Sequence, residues 1–272
     1  MYLLYNGQLL QEADLVLPLT NRAFQYNDGF FETMVLDKGL LRFWDHHQER
    51  MQEAASTLQI LLPEALKGDT FLKLVEDLAA NNATGFLARV KLKVWRAGEG
   101  LYTPQTHSAD WLLTVQAMPA PASQPLQVGI CQTVKTLPSP FSSFKGFNSL
   151  LYVLASQERA RRQLDDLVLL DPAGHVAELT ASNLFWIKDQ QLFTPALETG
   201  CLNGVLRRAL FEWASKSNYQ MHEGLYEPAA VYASDFAFAG NVTGLKPIKD
   251  LQGQALSTNP DFLSQLEKEL FH

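Results

Sequence analysis

Three prolines between positions 119 and 125 divide this chain of 272 residues into two parts. Proline fixes its own backbone angle and lacks the N–H group that a helix or a central strand needs, so neither element continues through this segment. At about 150 residues per domain, the length fits one large domain or two modest ones. We predict an N-terminal domain over residues 1–117, an interdomain linker over 118–125 and a C-terminal domain over 126–272.

The N-terminal part carries both strand and helix patterns. Asn6-Gly7 is a strong signal for a tight hairpin turn between two short apolar runs. From Ala88 to Val94, apolar and basic residues alternate with a period of two, which predicts a strand with one buried and one exposed face. Asp45, followed by Gln48 three residues later, predicts a helix start that is capped by a side chain. Together these patterns indicate an α+β domain.

Charge and composition argue against several classes of function. The chain carries 22 basic and 29 acidic residues, a net charge of −7, whereas nucleic-acid binders usually present a basic face. No apolar run reaches the ~18 residues that a membrane-spanning helix needs, and the first residues do not resemble a signal peptide. Cys131 and Cys201 are too few for a disulfide framework or, by themselves, for a zinc site. We expect a cytoplasmic protein without a bound metal.

One lysine stands in a setting that suits a chemical role. Lys145 lies between Phe144 and Phe147, just ahead of a predicted helix. Partly apolar surroundings lower the pKa of a lysine amine and make it nucleophilic, which is what a Schiff-base lysine requires. Most lysines of a chain are solvated surface residues, and the local pattern does not by itself separate these two interpretations.

Two further positions suggest ligand contacts. Glu178 stands in an apolar stretch, where a carboxylate is costly unless it is paired, so it either faces water at a sheet edge or holds a cationic ring nitrogen. Gly204 opens a predicted helix, whose first backbone N–H groups are suited to bind phosphate. An ordinary junction between a loop and a helix has the same pattern.

Taken together, several motifs resemble the class IV aminotransferase family. In the C-terminal part they are Lys145-x-x-Asn148, the segment 169–178, Ser182-Asn183-Leu184-Phe185, Thr194-Pro195 and Asn203-Gly204-Val205-x-Arg207. In the N-terminal part, the segment 22–32 resembles the family's first signature, and His47-x-x-Arg50 resembles its helix motif. The similar segments follow the family's order and cover nearly the whole chain.

The resemblance implies an α/β (α+β) fold of two domains, the fold type IV of pyridoxal-phosphate (PLP) enzymes, with the cofactor in the interdomain cleft. Lys145 would hold the cofactor as a Schiff base and act as general base and acid. Glu178 would keep the pyridine nitrogen protonated, and Arg50 would clamp the phosphate. The other cofactor-binding residues that the resemblance implies are Asn183, Gly204, Val205, Leu206, Asn241 and Val242.

The resemblance also indicates where substrate binds. Phe31 and Glu32 are more similar to the transaminase signature, and Arg96 and Tyr102 belong to the region from which family members bind the substrate carboxylate. Gly100-Leu101 stand where related lyases and D-amino acid transaminases carry a second arginine. That contact would have to come from another residue of the region: Arg96, Tyr102, Lys91 or Lys93.

The activity that the resemblance implies is that of a PLP-dependent aminotransferase, which transfers the amino group of a small amino acid to a 2-oxo acid through Lys145. The first alternative is 4-amino-4-deoxychorismate lyase, which releases pyruvate and 4-aminobenzoate in folate biosynthesis. Phe185-Trp186 and Thr194-Pro195 favour that lyase. The second alternative is a non-catalytic protein on the same fold. The family also implies a homodimer, and we expect no nucleic-acid or membrane partner.

Overall fold

The structure, a computed structural model, describes residues 1–121 and 124–271. Residues 122 and 123 of the predicted linker lie outside the described residues. The chain divides into two compact units, unit 1 with Met1–Ala120 and Phe144–Asn148, and unit 2 with Pro121–Ser143 and Ser149–His272. The short segment that carries Lys145 therefore packs with unit 1, whereas the division by sequence assigned it to the C-terminal domain.

Unit 1 is built around a six-stranded antiparallel sheet. Its elements are β1 (Tyr2–Tyr5), β2 (Gln8–Gln11), α1 (Arg22–Tyr26), β3 (Gly29–Asp37), β4 (Leu40–Leu41), α2 (Trp44–Leu58), α3 (Gly68–Asn81), β5 (Leu87–Arg96) and β6 (Ala109–Ala117). The strand order is β2-β1-β6-β5-β3-β4. The β1–β2 pair is the hairpin predicted at Asn6-Gly7, and β5 alternates between buried and exposed residues over most of its length, as predicted.

Helices α2 and α3 contribute to the core of unit 1. Core side chains of the helices and the sheet include Phe30, Met34, Met51, Phe71, Val75, Val90, Leu92 and Leu113. The prediction of a side-chain cap at Asp45 is wrong, because α2 begins at Trp44 and its N-cap residue, Phe43, has a left-handed backbone (φ 54°) without a side-chain cap. The Trp44 ring stacks on Phe71 of α3 at 4.8 Å, so tertiary packing contributes to fixing this helix start.

Unit 2 is built around a mixed nine-stranded sheet. Its elements are β7 (Leu126–Ile130), α4 (Leu150–Arg161), β8 (Asp166–Leu170), β9 (Val176–Leu179), β10 (Asn183–Lys188), β11 (Gln191–Pro195), α5 (Val205–Lys216), β12 (Met221–Gly224), α6 (Pro228–Tyr232), β13 (Phe236–Asn241), β14 (Gly244–Leu251), β15 (Gln254–Ala255) and α7 (Pro260–Leu270). The order is β12-β11-β10-β13-β14-β7-β8-β9, with β15 paired to β14. Helices and sheets occur in both units, which confirms the predicted fold class.

The sheet of unit 2 combines parallel and antiparallel pairs. Strand β7 lies parallel to both β14 and β8, while β10 is antiparallel to both β11 and β13. Buried residues such as Val128, Leu179, Leu184 and Trp186 form its apolar core. Over the described residues, each helix is too short or too polar to cross a lipid bilayer.

Candidate active site

Lys145 lies on a loop that runs along the first residues of β3. The Phe31 N–H donates to the Lys145 carbonyl (2.8 Å), and the Phe147 N–H donates to the Gly29 carbonyl (3.2 Å). The Lys145 side chain is half-buried, and its Nζ lies 5.7 Å from the centroid of the Phe31 ring. Backbone pairing therefore holds this amine over an aromatic face and not out in bulk water.

Gly29 permits the close approach between this loop and β3. A Cβ atom at Gly29 would lie 2.6 Å from the Phe147 ring and 2.8 Å from the Cα of Trp95, both closer than real Cβ contacts. The Trp95 contact is to the backbone, which cannot swing away as a flexible side chain can. A side chain here would thus push apart the two segments that position Lys145.

Arg50, the residue expected to bind the cofactor phosphate, forms a buried ion pair. Its Nε donates to Glu32 Oε1 (2.8 Å) and its Nη2 donates to Glu32 Oε2 (2.5 Å). His47 lies one turn earlier on α2, with Nδ1 2.7 Å from the same Oε2. An ionised carboxylate only accepts hydrogen bonds, so Nδ1 carries the hydrogen and donates it. All three side chains are buried, and Glu32 therefore fixes the orientation of the Arg50 guanidinium.

The charge of Glu32 balances this cluster. Burial by itself raises the pKa of Glu32, but the Arg50 guanidinium and the hydrogen bonds from Arg50 and His47 outweigh it and lower the pKa to about 2. Burial lowers the pKa of His47 against the opposing effect of Glu32, and the charges of Arg50 and Lys145 lower it further. At neutral pH we assign an ionised Glu32 and a neutral His47. Nε2 of His47 is buried without a hydrogen-bond partner among the described residues.

Replacing Glu32 by alanine should lower the free energy of unfolding by about 3–5 kcal/mol, because the buried Arg50 guanidinium would lose the carboxylate that it pairs with. Urea unfolding measures this change. Glu64→Ala is a matched control, since Glu64 pairs with Lys67 on the surface of the same unit, where an ion pair contributes about 1 kcal/mol or less. Equal effects of the two substitutions would contradict the role of Glu32 as the partner of Arg50.

The same ion pair predicts a pH dependence of stability in the wild-type protein. The unfolded chain protonates Glu32 near its ordinary pKa of 4.5, whereas the folded protein keeps it ionised down to about 2. Between these values unfolding takes up a proton, so the stabilisation by Glu32 is complete above pH 4.5 and is lost as the pH falls towards 2. In Glu32→Ala, urea unfolding at several pH values should show a shallower fall over this range.

Glu178 on β9 is buried, with both carboxylate oxygens hydrogen-bonded. The Tyr152 hydroxyl on α4 donates to Oε1 (2.7 Å), and the Leu202 N–H donates to Oε2 (3.1 Å). Burial and the charge of Glu178 raise the pKa of Tyr152, so the phenol stays protonated and remains a donor. The same two causes raise the pKa of the Cys201 thiol to about 12. The sequence left open whether Glu178 faces water at a sheet edge or holds a cationic ring nitrogen. Because the side chain is buried, it does not face water.

Asn183 and Gly204 fit together at the start of α5. The Asn183 side chain donates to the Leu202 carbonyl (2.7 Å), and a Cβ on Gly204 would overlap its Oδ1. Gly204 is the N-cap residue. Val205 and Leu206 follow as the first helical residues, whose N–H groups have no acceptor within the helix. This end of a 12-residue helix offers N–H donors and a positive dipole end to a phosphate.

Asn241, at the end of β13, uses its amide to join two loops. Its Nδ2 donates to the Ala181 carbonyl and to the Ser182 hydroxyl, each at 3.0 Å. Its Oδ1 accepts from the Thr243 N–H (2.8 Å) and from the Thr243 hydroxyl (2.6 Å). Val242 lies inside this turn and is buried. Asn241 thus fixes the backbone of the loop that the resemblance places over the phosphate.

Of the four candidates for binding the substrate carboxylate, Arg96 and Tyr102 have opposite settings. Arg96 is buried, and its Nε donates to Asp28 (2.9 Å). Its Nη2 and Nη1 donate to the carbonyls of Leu58 (2.5 Å) and Gln59 (3.0 Å) at the end of α2. A substrate carboxylate would have to replace these acceptors. Tyr102, by contrast, has 88% of its surface exposed.

Tyr152 and Asp28 are polar contacts that sequence reasoning missed. Tyr152 comes 26 residues before the Glu178 that it binds and lies on a different element. Asp28 accepts from Arg22 (2.7 Å) as well as from Arg96, which is 68 positions away. Neither separation produces a local pattern in the sequence. Asp28 stands inside the signature segment 22–32, which is the signal that could have indicated it.

The expected site residues are found in both units. Unit 1 contains Phe31, Glu32, Arg50, Arg96, Tyr102 and Lys145, and unit 2 contains Glu178, Asn183, Gly204, Val205, Leu206, Asn241 and Val242. A half-buried amine, a buried guanidinium, a buried carboxylate and a helix N-terminus are the groups that suit the aldehyde, phosphate and ring nitrogen of PLP. In the described part of the chain, no cluster of three or more histidine, cysteine or acidic side chains suits a metal ion.

The chain is similar to known proteins over most of its length. A family model described as amino-transferase class IV matches residues 29–251. Aminodeoxychorismate lyase of Vibrio harveyi is 30% identical, with 86% of this chain and 87% of that protein covered. Aminodeoxychorismate lyase of Bacillus subtilis is 31% identical, covering 87% and 81%. The branched-chain-amino-acid aminotransferase of Escherichia coli K12 is 26% identical, covering 93% and 85%.

Solved structures share the fold. The crystal structure of Escherichia coli branched-chain amino acid aminotransferase superimposes with a TM-score of 0.88 at 19% identity, covering 99% of this chain and 94% of that chain. A hypothetical aminotransferase from Mycobacterium tuberculosis, solved in a PLP-bound form, gives a TM-score of 0.83 at 20% identity, covering 99% and 97%. At these identities the likeness shows the fold alone, and it confirms the predicted fold type IV architecture.

Proposed function

Because the chain belongs to the class IV aminotransferase family, we propose that it is a PLP-dependent enzyme that cleaves 4-amino-4-deoxychorismate to pyruvate and 4-aminobenzoate. The observation that carries this proposal is Lys145, whose amine is held over Phe31 by backbone pairing with β3. Class IV aminotransferases use PLP. A non-catalytic protein on the same fold is set aside, because the relatives named above are enzymes and the reactive lysine is present.

PLP, when bound, supplies an electron sink for the carbon that bears the substrate amino group. Lys145 takes the proton from that carbon and returns a proton where the products require it. Glu178, oriented by Tyr152 and the Leu202 N–H, holds a proton on the ring nitrogen. Arg50, fixed by Glu32, binds phosphate through its guanidinium. The N–H groups at the start of α5 are phosphate donors in unit 2.

The proposed cleavage is balanced without an oxidant or a reductant. The carbon that bears the amino group loses its proton, and the bond between the neighbouring ring carbon and the enolpyruvyl oxygen breaks. The six-membered ring then becomes aromatic and is released as 4-aminobenzoate. The leaving group takes up a proton and becomes pyruvate. Formation of the aromatic ring supplies the driving force for the cleavage. One proton-transferring group, the Lys145 amine, is therefore sufficient beside the cofactor.

The position of Glu32 removes the main argument from the sequence for a transaminase. Phe31-Glu32 resembled the transaminase signature, but the Glu32 carboxylate is turned into the core and pairs with Arg50 and His47. Glu32 therefore serves phosphate binding, which both reactions need. The lyase-like residue Thr194 is buried in unit 2, which also contains Glu178 and Asn183. Identities of 30% and 31% to two lyases agree with this choice.

Transamination of a small amino acid is the second candidate. Relatives with aminotransferase names, among them D-alanine aminotransferase of Listeria monocytogenes, are 26% identical over 93% of this chain. The proposed roles of Lys145, Glu178 and Arg50 serve this reaction equally well. It differs in returning the proton to the cofactor and in needing a 2-oxo acid as second substrate.

Product analysis of the PLP-loaded protein tests both candidates. With 4-amino-4-deoxychorismate we expect pyruvate and 4-aminobenzoate in equal amounts. Parallel mixtures of D- or L-amino acids with 2-oxoglutarate should give no comparable exchange of amino groups. If neither product appears while visible absorption shows that the cofactor is bound, the lyase proposal is wrong, and rapid exchange in the parallel mixtures would replace it with the transaminase.

We also propose that the enzyme acts as a homodimer in the cytoplasm. Unit 1 exposes a set of large apolar side chains, each with more than three quarters of its surface exposed: Val16, Leu19, Phe24 and Leu101. Burial of such residues against a second copy would remove apolar surface from water. Light scattering should give twice the mass of one chain. Cys131 and Cys201 are free thiols, which suits a reducing compartment.

A further inference from the structure

Helix α7 makes a specific polar contact with the hairpin that joins β13 to β14. The N–H of Leu245, the second residue of β14, donates to Oε1 of Glu267 on α7 (2.7 Å). Glu267 is half-buried, and the buried side chains of Leu263 and Leu266 anchor the helix in unit 2. The position of this carboxylate is therefore set by the packing of α7.

Glu267 takes the place of a neighbouring strand at Leu245. On one side of β14, Leu245 is paired with Gly240 of β13. On the other side, in the described part of unit 2, β7 pairs with β14 from Ile248 onwards, so no strand accepts from Leu245 there. Leu245 is buried, and a buried N–H without an acceptor is costly. The Glu267 carboxylate supplies that acceptor.

Gly244 lets the carboxylate come close to the backbone of β14. Its φ of +148° favours glycine, and a Cβ atom there would lie 2.9 Å from Glu267 Oε1. At the other end of the turn, the Asn241 side chain binds Ala181, Ser182 and Thr243, as described above. The turn Asn241–Gly244 is thus held from both ends, by Asn241 and by a helix more than 20 positions away.

The same turn lies beside the start of α5. Gly240, the residue before the turn, is paired with Asn183 of β10, and the Asn183 side chain contacts Gly204. A Cβ atom on Gly240 would lie 2.5 Å from Leu206 in the first turn of α5. The segment that Glu267 holds is therefore next to the N–H groups that suit a phosphate in unit 2.

We infer that Glu267 is a positioning residue for the cofactor phosphate. By accepting from the Leu245 N–H, it holds the turn Asn241–Gly244 beside the start of α5. A carboxylate repels a phosphate, so Glu267 acts through the backbone that it orients and not as a phosphate ligand. The inference rests on the proposed role of this turn in binding the PLP phosphate, and it applies to the lyase and to the transaminase alike.

The affinity for PLP is the first test. Equilibrium dialysis of the PLP-loaded protein should show a dissociation constant about 10-fold higher in Glu267→Ala, since one hydrogen bond to a charged group is lost. Glu267→Gln keeps an acceptor oxygen and should stay within about twofold of the wild type. Glu269→Ala is the matched control, because Glu269 also lies on α7 but accepts from Trp213 and Gln265; it should bind PLP as the wild type does.

Phosphorus NMR of the same samples at saturating PLP distinguishes a misplaced phosphate from a general loss of stability. In Glu267→Ala the signal of the bound phosphate should move towards that of free PLP, whereas Glu267→Gln and Glu269→Ala should keep the wild-type signal. An unchanged signal or an unchanged affinity in Glu267→Ala overturns the inference. So does an equal change in Glu269→Ala, or a Glu267→Gln variant that behaves like Glu267→Ala. Failure of the proposed function looks different: PLP is bound, but pyruvate is not released from 4-amino-4-deoxychorismate.

Discussion

Replacing Lys145 by alanine should abolish the visible absorption of bound PLP and lower turnover by about 10²-fold to 10⁴-fold. That range is the usual contribution of a positioned proton-transfer group. In its proposed role the amine is both the covalent anchor of the cofactor and the carrier of the proton, so we expect no other group to replace it. The measurements are an absorption spectrum and the rate of pyruvate release from the PLP-loaded protein.

The fold should survive this substitution. Lys145 contacts β3 through its backbone carbonyl, which accepts from the Phe31 N–H, and alanine keeps that carbonyl. Circular dichroism and urea unfolding should therefore match the wild type closely. Lys249→Ala removes a lysine of unit 2 that has no proposed role in the reaction, and it should change neither absorption nor turnover. Normal turnover in Lys145→Ala would remove Lys145 from the reaction.

Replacing Glu178 by glutamine should lower turnover by about 10²-fold to 10³-fold, the usual cost of losing one electrostatic contact to the reacting system. The amide has nearly the same shape but carries no negative charge, so it does not hold a proton on the ring nitrogen. Visible absorption should persist because Lys145 is intact. Turnover reports how well the cofactor accepts electrons from the substrate, and the absorption spectrum reports whether the cofactor is bound. Measured together, they distinguish a weaker electron sink from a loss of cofactor.

Tyr152→Phe is the companion of Glu178→Gln. It removes the hydroxyl donor to Glu178 Oε1 and leaves the Leu202 N–H in place. We expect a loss of about 10-fold, since a single hydrogen bond to a carboxylate is removed. Wild-type turnover in Glu178→Gln would falsify its assigned role. A loss in Tyr152→Phe larger than that in Glu178→Gln would show that Tyr152 acts other than through Glu178.

Features that depend only on residues close together in the sequence could be predicted from it. The hairpin at Asn6-Gly7 and the alternation of β5 are both present in unit 1. The start of α2 could not be predicted in the same way. Asp45 had the local pattern of a cap, yet the helix begins one residue earlier, where Trp44 stacks on Phe71 of another helix. The local pattern did not decide this helix start, where Trp44 makes a tertiary contact with Phe71.

In the site, too, some features could be predicted from the sequence and others could not. The types and order of its residues, from His47-x-x-Arg50 to Gly204, were sufficient to predict the family and its cofactor. The partners of those residues were not predictable. Glu32 pairs with Arg50 at a separation of 18 positions and Tyr152 with Glu178 at 26, and each partner stands on a different element. An assignment of Glu32 to substrate binding from its motif alone overlooked that its side chain faces the core.

The sequence, through motifs that resemble the class IV aminotransferase family, was sufficient for the fold class and for PLP as cofactor, and its proline-rich segment predicted where the chain divides. The break at the prolines follows from backbone geometry and the strand and helix patterns follow from apolar periodicity, both of which act over a few residues. Only the tertiary structure decided that the Lys145 segment packs with unit 1 and that Arg96 binds backbone carbonyls at the end of α2. Hydrogen bonds and ion pairs act over a few ångströms, and folding alone brings distant positions within that range.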